Sequence, residues 1–296
     1  MFNIIKKSNY WLVFSGILMA LSIFFIAVLG LRWGVDYKGG TIIEATSADP
    51  EKLSSIESIF KEKEITGFQI KQASNNQIII KLPVIDNEKH NELTSAFKEK
   101  ISDYSETSYS SVGPVISEDL TRRSIMAVIL ASLGIIIYIA YAFRKLPKPL
   151  SPWRFGISAV IAIIHDLLIT TGIVAVIGYY ASWMEIDVLF ITALLTIMGF
   201  SVHDTIVVYD RLRENFLHNP HQKIEVTAEE SVNQTLARSI NTSLTVLVVL
   251  AALFILGGES IRHFVLTLII GIAFGTYSSI FVATAILSKW HAKTSR

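Results

Sequence analysis

The amino-acid sequence predicts a polytopic α-helical membrane protein of six spanning helices, with a small α+β domain inserted between the first and the second. Three observations predict it. Six apolar runs, at 11–31, 125–143, 156–179, 186–209, 240–256 and 264–287, each approach the roughly 20 residues that cross a bilayer as a helix. One long segment, 32–122, breaks that pattern with charges and short alternating runs. Lysine and arginine crowd alternate connections, as they do where the apolar runs cross a membrane in turn. The 296 residues are 51% hydrophobic, gathered into long runs rather than scattered as in a soluble domain. A net charge of +1 leaves no basic excess to neutralise phosphates and argues against nucleic acid as a partner. The absence of cysteine excludes disulfides, thiolate nucleophiles and cysteine metal sites.

In chain order, the first run is too long for the apolar core of a secretory signal, and no small-residue cleavage site follows it. It reads as a retained anchor. Gly39-Gly40 then precedes a short strand pattern at 41–46. Leu53, Ile56, Ile59 and Phe60 recur at helical spacing among charges. Segments 68–72 and 77–82 read as strands around a Ser74-Asn75-Asn76 turn, 88–101 as a second amphipathic helix and 104–112 as a last strand. The order β-α-β-β-α-β is that of a ferredoxin-like split βαβ unit. His90 stands alone on a helix face and reads as solvent-exposed. The flanks "RWGVDYKGG" and "VGPVISEDLTRR" contain Gly39, Gly40, Gly113 and Pro114, which are hinge candidates at helix ends. The domains are therefore 1–31, the terminal segment and first span; 32–122, the inserted domain; and 123–296, the remaining five spans.

Lys6 and Lys7 precede the first span, and Arg144, Lys145, Lys148 and Arg154 crowd the second connection. Arg211, Arg213, Lys223 and Arg238 lie between the fourth and fifth spans, and Lys289, Lys293 and Arg296 end the chain. The short connections at 180–185 and 257–263 hold only Arg262. The charge rule thus places both termini in the cytoplasm and 32–122 outside.

An ionisable group in a bilayer costs at least about 2.5–3.5 kcal/mol on insertion scales, so the polar residues inside the spans are informative. His165 and Asp166 lie near the middle of the third span, with Thr170 one turn above on the same face. A structural lock and a functional group are both open readings there. His203 and Asp204 lie near the end of the fourth. At 1.5 Å per residue, Asp204 is about 9 Å inside Asp210, too deep for its short side chain to reach bulk water. It must be protonated, paired or facing a wet cavity, and a carboxyl group so placed is a candidate reversible proton site. His203 points some 100° away around the helix. At the start of the fifth span, Arg238, Asn241, Thr242 and Thr245 make a polar stripe that seeks other helices or water. Arg238 is within reach of Asp204, although it could instead extend into the headgroups. In the sixth span Thr267, Gly271, Gly275 and Ser278 make a small-residue face for close helix packing.

The stretches "GVDYKGGT" (34–41), "VGPVIS" (112–117), "IIHD" (163–166), "GFSVHDTIVVYDRLREN" (199–215), "QTLARSINTSLT" (234–245) and "LGGESIRHF…GIAFGTYSSIF" (256–281) carry a resemblance that covers nearly the whole chain in order. The sequence resembles the SecD/SecF family of bacterial protein export, whose membrane part is similar to one half of an RND-type transporter. The resemblance implies a SecF-like accessory subunit of the Sec translocase in the bacterial inner membrane. Such a subunit works with SecD at the SecYEG channel, with YajC and YidC as further candidates, and draws an unfolded preprotein outward at the expense of the proton-motive force. It implies proton passage through Asp204 and Arg238, facing an Asp of SecD, with the proton as coupling ion, no other cofactor, no metal and no enzymatic activity.

Three other classes compete. Half of an RND-like pump for lipids or small molecules would carry a larger exterior domain. An intramembrane hydrolase built on His165 or His203 lacks a nucleophile motif. A metal site at His165, Asp166, His203 and Asp204 would need adjacent residues to converge from different helix faces.

Overall fold

The computed structural model describes residues 2–46, 53–72, 77–101, 103–146 and 150–294. The expected turn at Ser74-Asn75-Asn76, the side chain of Leu53, and Lys148 and Arg296 lie outside the described residues. Six helices are long and apolar enough to cross a membrane. They are α1 (Ser8–Leu29), α5 (Pro114–Ala142), α6 (Pro152–Tyr180), α7 (Val188–His218), α8 (Ile224–Leu256) and α9 (Glu259–Ser278). The last continues through a π turn, Ser279–Ala283, into α10 (Thr284–Thr294).

Between α1 and α5 lie a single turn, α2 (Val35–Lys38), and the inserted domain: β1 (Gly40–Thr46), α3 (Leu53–Glu62), β2 (Gln69–Gln72), β3 (Gln77–Leu82), α4 (Asn87–Lys100) and β4 (Ser105–Val112). The sheet is antiparallel in the order β2-β3-β1-β4, the arrangement expected of a split βαβ unit. Alternation along β1 and β3 sends Ile43, Ala45, Ile78 and Ile80 to one face, where Ile56, Phe60, Leu93 and Phe97 cover them. Asp86 caps α4 by accepting from the Lys89 amide at 2.8 Å. His90 is not solvated: its ring stacks on Tyr109 with centroids 3.8 Å apart and its Nε2 lies 3.1 Å from Glu106. The aromatic neighbour arrives from β4, which the helix pattern alone does not reveal.

The other sheet face looks onto the membrane helices. Lys81 pairs with Glu185, Lys71 reaches Glu259 at 3.6 Å, and Ser260 donates to Glu44 at 3.0 Å. The first tether is tied down over part of its length. The Gly34 amide donates to the Ile186 carbonyl and the Ile186 amide to the Arg32 carbonyl, each at 2.8 Å, and Asp36 accepts from the Val188 amide at 3.0 Å. A Cβ at Gly34 would come within 3.1 Å of Asp187 Cβ. Gly39 and Gly40 turn the chain into the sheet with φ of +78° and +147°; Gly40 pairs with Val112 in β1, and Gly113-Pro114 starts α5.

In the membrane domain α6, α7 and α9 are the central helices, whereas α1, α5 and α8 are largely exposed along their apolar stretches. Ser8, Ser15 and Ser22 form the buried stripe of α1, and a Cβ on Gly172 of α6 would overlap Ser22. Gly271 sits against Ile197 of α7 and Gly275 against Ser201, so the small-residue face of α9 is where α7 packs.

The polar ends of α7 and α8 extend well beyond the apolar runs. Ile224, Thr227, Ala228, Ser231, Val232 and Thr235 recur at helical spacing on the buried side of α8 and, with Leu212 and Phe216 of α7, continue the bundle core. Arg238 therefore lies mid-helix in α8, just before the apolar run that begins at 240. Glu229, also on this extension, accepts from the amides of Ile4 at 2.5 Å and Lys6 at 2.9 Å, which fastens the segment before α1.

Candidate functional site

Two carboxyl groups are buried within the bundle. Asp166 of α6 has no exposed surface. Its Oδ2 accepts from Ser201 Oγ on α7 and from Ser278 Oγ on α9, both at 2.7 Å. Its Oδ1 lies 2.9 Å from Nδ1 of His165. The His165 ring stacks on Tyr277 at 6.1 Å, and Tyr277 Oη shares a hydrogen bond with Ser15 of α1 at 3.1 Å. One side chain thus gathers bonds from α7 and α9 and, through its neighbour, touches α1. Gly275 makes room for this: its hypothetical Cβ lies 3.2 Å from Ser201 Cβ and 3.6 Å from Asp166 Oδ2. The glycine predicted only for packing lies against the carboxyl group.

Asp204 follows Ser201 by one turn of α7 and is 4% exposed. Its carboxyl group faces the hydroxyl groups of Ser239 on α8 and Ser279 on the π turn. Oδ2 of Asp204 and Oγ of Ser239 are both buried without a hydrogen-bond partner. Ser279 donates to the Thr276 carbonyl at 3.1 Å. The π turn itself is held open by Thr284, whose hydroxyl donates to the Ser279 carbonyl at 3.1 Å. Single π turns inside α-helices recur at functional positions because they shift the phase of the side chains beyond them. Here the shift begins where the helix passes from the Asp166 contact at Ser278 to the Asp204 contact at Ser279.

Arg238 does not pair with Asp204. It is exposed on α8 and, among the described residues, makes no ion pair. Helical phase explains this: Ser239, the next residue and 100° around the helix, is the one turned toward Asp204. Arg238 instead lines a polar cleft of about 370 Å³ between α7 and α8, with Asp210, Arg211, Glu214, Gln234 and Thr235. Arg211 is held there by Gln234 at 2.6 Å and Glu214 at 2.5 Å. Thr235 precedes Ser239 by one turn, and the cleft also reaches Val207, one turn beyond Asp204. The cleft therefore lies about one helical turn from the carboxyl group.

The remaining predicted network residues separate from this centre. His203 is exposed on α7, in line with the exposed Thr192 and Thr196. Asn241, Thr242 and Thr245 are exposed on α8, where Thr245 donates back to the Thr242 carbonyl at 2.7 Å. These residues form a polar outer stripe at membrane depth, a surface that is costly against lipid.

The family profile described as "Protein export membrane protein SecD/SecF, C-terminal" matches residues 92–293. The chain belongs to the SecD/SecF family. A second SecD/SecF profile, for the family's GG motif, matches residues 24–51, which contain Gly39-Gly40. The "Protein translocase subunit SecF" of Thermobaculum terrenum is 40% identical over 99% of this chain and 95% of its own length. That of Haemophilus influenzae is 35% identical over 95% of this chain and 83% of its own. A crystal structure of SecDF from Thermus thermophilus, described as a translocon-associated membrane protein, superposes over all of this SecD/SecF chain with a TM-score of 0.82 and 32% identity. A second SecDF structure, in a "Super-membrane-facing form", gives 0.70. This chain spans 39% of each of those longer chains.

The sequence reading of this SecD/SecF chain leaves out Ser201, Ser239 and Ser279, and assigns Ser278 to packing alone. Serine in a membrane helix often bonds only to its own backbone, as Ser132 of α5 does to Val128 O at 2.8 Å. The available signal was spacing: Ser201 lies one turn from Asp204, and Ser278-Ser279 adjoins the GxxxG face.

Proposed function

We propose that this chain is a SecF-type accessory subunit of the Sec preprotein translocase. In this reading it pairs with a SecD partner at the SecYEG channel, with YajC and YidC as further candidates, and promotes late export of an unfolded preprotein using the proton-motive force. It has no enzymatic activity and no cofactor beyond the proton. It lies in the bacterial inner membrane with both termini cytoplasmic and residues 32–122 outside, as the lysine and arginine distribution supports. The relatives' names and the fit to SecDF support the translocase role. The exposed polar stripe of His203, Asn241, Thr242 and Thr245 supports a helix partner in the membrane, because polar side chains there gain hydrogen bonds from neighbouring helices that lipid cannot supply.

One observation carries the proton role: the buried, unpartnered Oδ2 of Asp204, one turn from the α7–α8 cleft. A carboxylate oxygen without a donor is poorly stabilised in a low-dielectric interior, and a proton satisfies it. The cleft supplies a path to water, and Arg238 at its wall supplies a fixed positive charge that helps a departing proton. Passage of one charge across 100 mV yields about 2.3 kcal/mol, enough to bias a modest rearrangement of the inserted domain.

Preprotein export in inverted vesicles tests the reading. Asp204→Asn should assemble with its partner at wild-type level and lose the stimulation that an imposed proton gradient provides. Wild-type export that still collapses on addition of an uncoupler would assign Asp204 a structural role.

A further inference from the structure

A groove of about 520 Å³ lies between α2 and the first turns of α5. It has no part in the carboxyl centre. Lys38 stands on its α2 side and Arg122 on its α5 side, and both are exposed. Neither has an ion-pair partner among the described residues. The neighbouring Arg123 is different, being paired with Asp119 at 2.7 Å. Glu118 is the groove's acidic residue, so its net charge is positive.

The depth of the groove identifies its surroundings. The apolar run of α5 begins at Ile125, which forms the inner end of the groove, and Thr121 and Arg122 lie one turn outside it. Trp33 and Tyr37 sit at the same end of the bundle, edge to face at 5.9 Å, and Tyr179 and Tyr180 are exposed at the same end of α6. Such an aromatic belt marks the boundary between hydrocarbon and headgroups. Below the groove, Ile125, Ile129 and Leu133 are all exposed on α5, at spacings of four residues and so on one helix face. An apolar track thus leads away from a pair of free cations.

We propose that this groove binds the phosphate of an anionic phospholipid, with its acyl chain along Ile125, Ile129 and Leu133. The phosphate bridges Lys38 and Arg122, and the Thr121 hydroxyl is available to donate to it. Tyr37 already joins the two walls through Ser124 at 2.8 Å. The bound lipid adds a second clamp between α2 and α5, directly beside Gly39 on one tether and Gly113-Pro114 on the other. The lipid surface would thereby set how freely the inserted domain bends.

The test is native mass spectrometry of the full chain released from nanodiscs that contain equal phosphatidylglycerol and phosphatidylethanolamine. The wild type should retain phosphatidylglycerol preferentially. Each basic residue near an anionic membrane contributes about 5-fold in affinity, so Lys38→Gln with Arg122→Gln should lower retention roughly 30-fold. Arg123→Gln should leave it unchanged. Unchanged retention in the double variant overturns the site, and equal loss in Arg123→Gln reduces it to a general basic belt. Displacement by millimolar glycerol phosphate would show a phosphate site without lipid selectivity and would also overturn the proposal. Circular dichroism of each variant separates lost binding from lost fold.

Discussion

Asp166 and Asp204 are the same residue type, both buried, about one helical turn apart through Ser201 and adjacent through Ser278-Ser279. The hydrogen-bond partners of the two carboxyl groups differ, although His165 Nε2 beside Asp166 is also buried without a partner. Asp166 has donors on both oxygens, from three helices. Asp204 has an oxygen with none. A fully bonded buried carboxylate fixes the helices that bond to it, and removing it leaves several polar groups unpaired at once. One with an unpartnered oxygen gains from taking up a proton and, near a polar cleft, can release it. Burial alone therefore does not identify a proton carrier. In the proposed reading, the carrier is the carboxyl group whose hydrogen-bonding capacity is unmet and that lies beside a polar cleft.

The largest effect expected from this contrast is at Asp166. Asp166→Ala strands Ser201, Ser278 and His165 inside the bundle, and breaking a buried charged network by removing one member costs about 3–5 kcal/mol. The variant should show a sharply lower yield and melting temperature in detergent. Asp166→Asn keeps an oxygen that can accept from both serines and should recover most of that loss. If Asp166→Ala is as stable as the wild type but inactive in export, Asp166 is a proton site too and the contrast fails.

Gly275→Leu comes next. Its side chain would enter the space that Ser201 and Asp166 occupy, and overpacking typically costs about 1–3 kcal/mol. Melting temperature should fall, whereas Gly199→Ala, in open space on the same bundle, should be neutral.

How far this centre could be read from the sequence depends on the periodicity of each part. The six spans and the β-α-β-β-α-β order follow from runs and alternation, which survive without tertiary information. The depth of Asp204 and its divergence from His203 follow from helical geometry. The Arg238 pairing failed because reach was judged along the membrane normal, while phase around α8 decides which side chain faces α7. The apolar run at 240–256 marks only the later part of α8; its first turns are amphipathic and pack on the polar end of α7. Spacing marks Ser201 and Ser278-Ser279 as neighbours of polar positions, but not their partners, which lie on helices distant in sequence, and the phase shift of the π turn leaves no compositional mark.

Arg238 gives the smallest and most discriminating mutational effect. Arg238→Lys keeps the charge at the cleft and should retain most proton-stimulated export, and Arg238→Met should lose more of it, without change in melting temperature in either case. An exposed charge contributes little to stability, about 0–1 kcal/mol, so a loss of fold in Arg238→Met would show that the side chain is structural.

The most direct test of the contrast is infrared difference spectroscopy of the reconstituted protein between acidic and alkaline pH. Protonated carboxyl groups absorb apart from carboxylates, and intramembrane carboxyl groups absorb apart from hydrated ones. A buried carboxyl band should appear on acidification of the wild type, persist in Asp166→Asn and vanish in Asp204→Asn. A band that survives Asp204→Asn and vanishes in Asp166→Asn would contradict the assignment of the proton site.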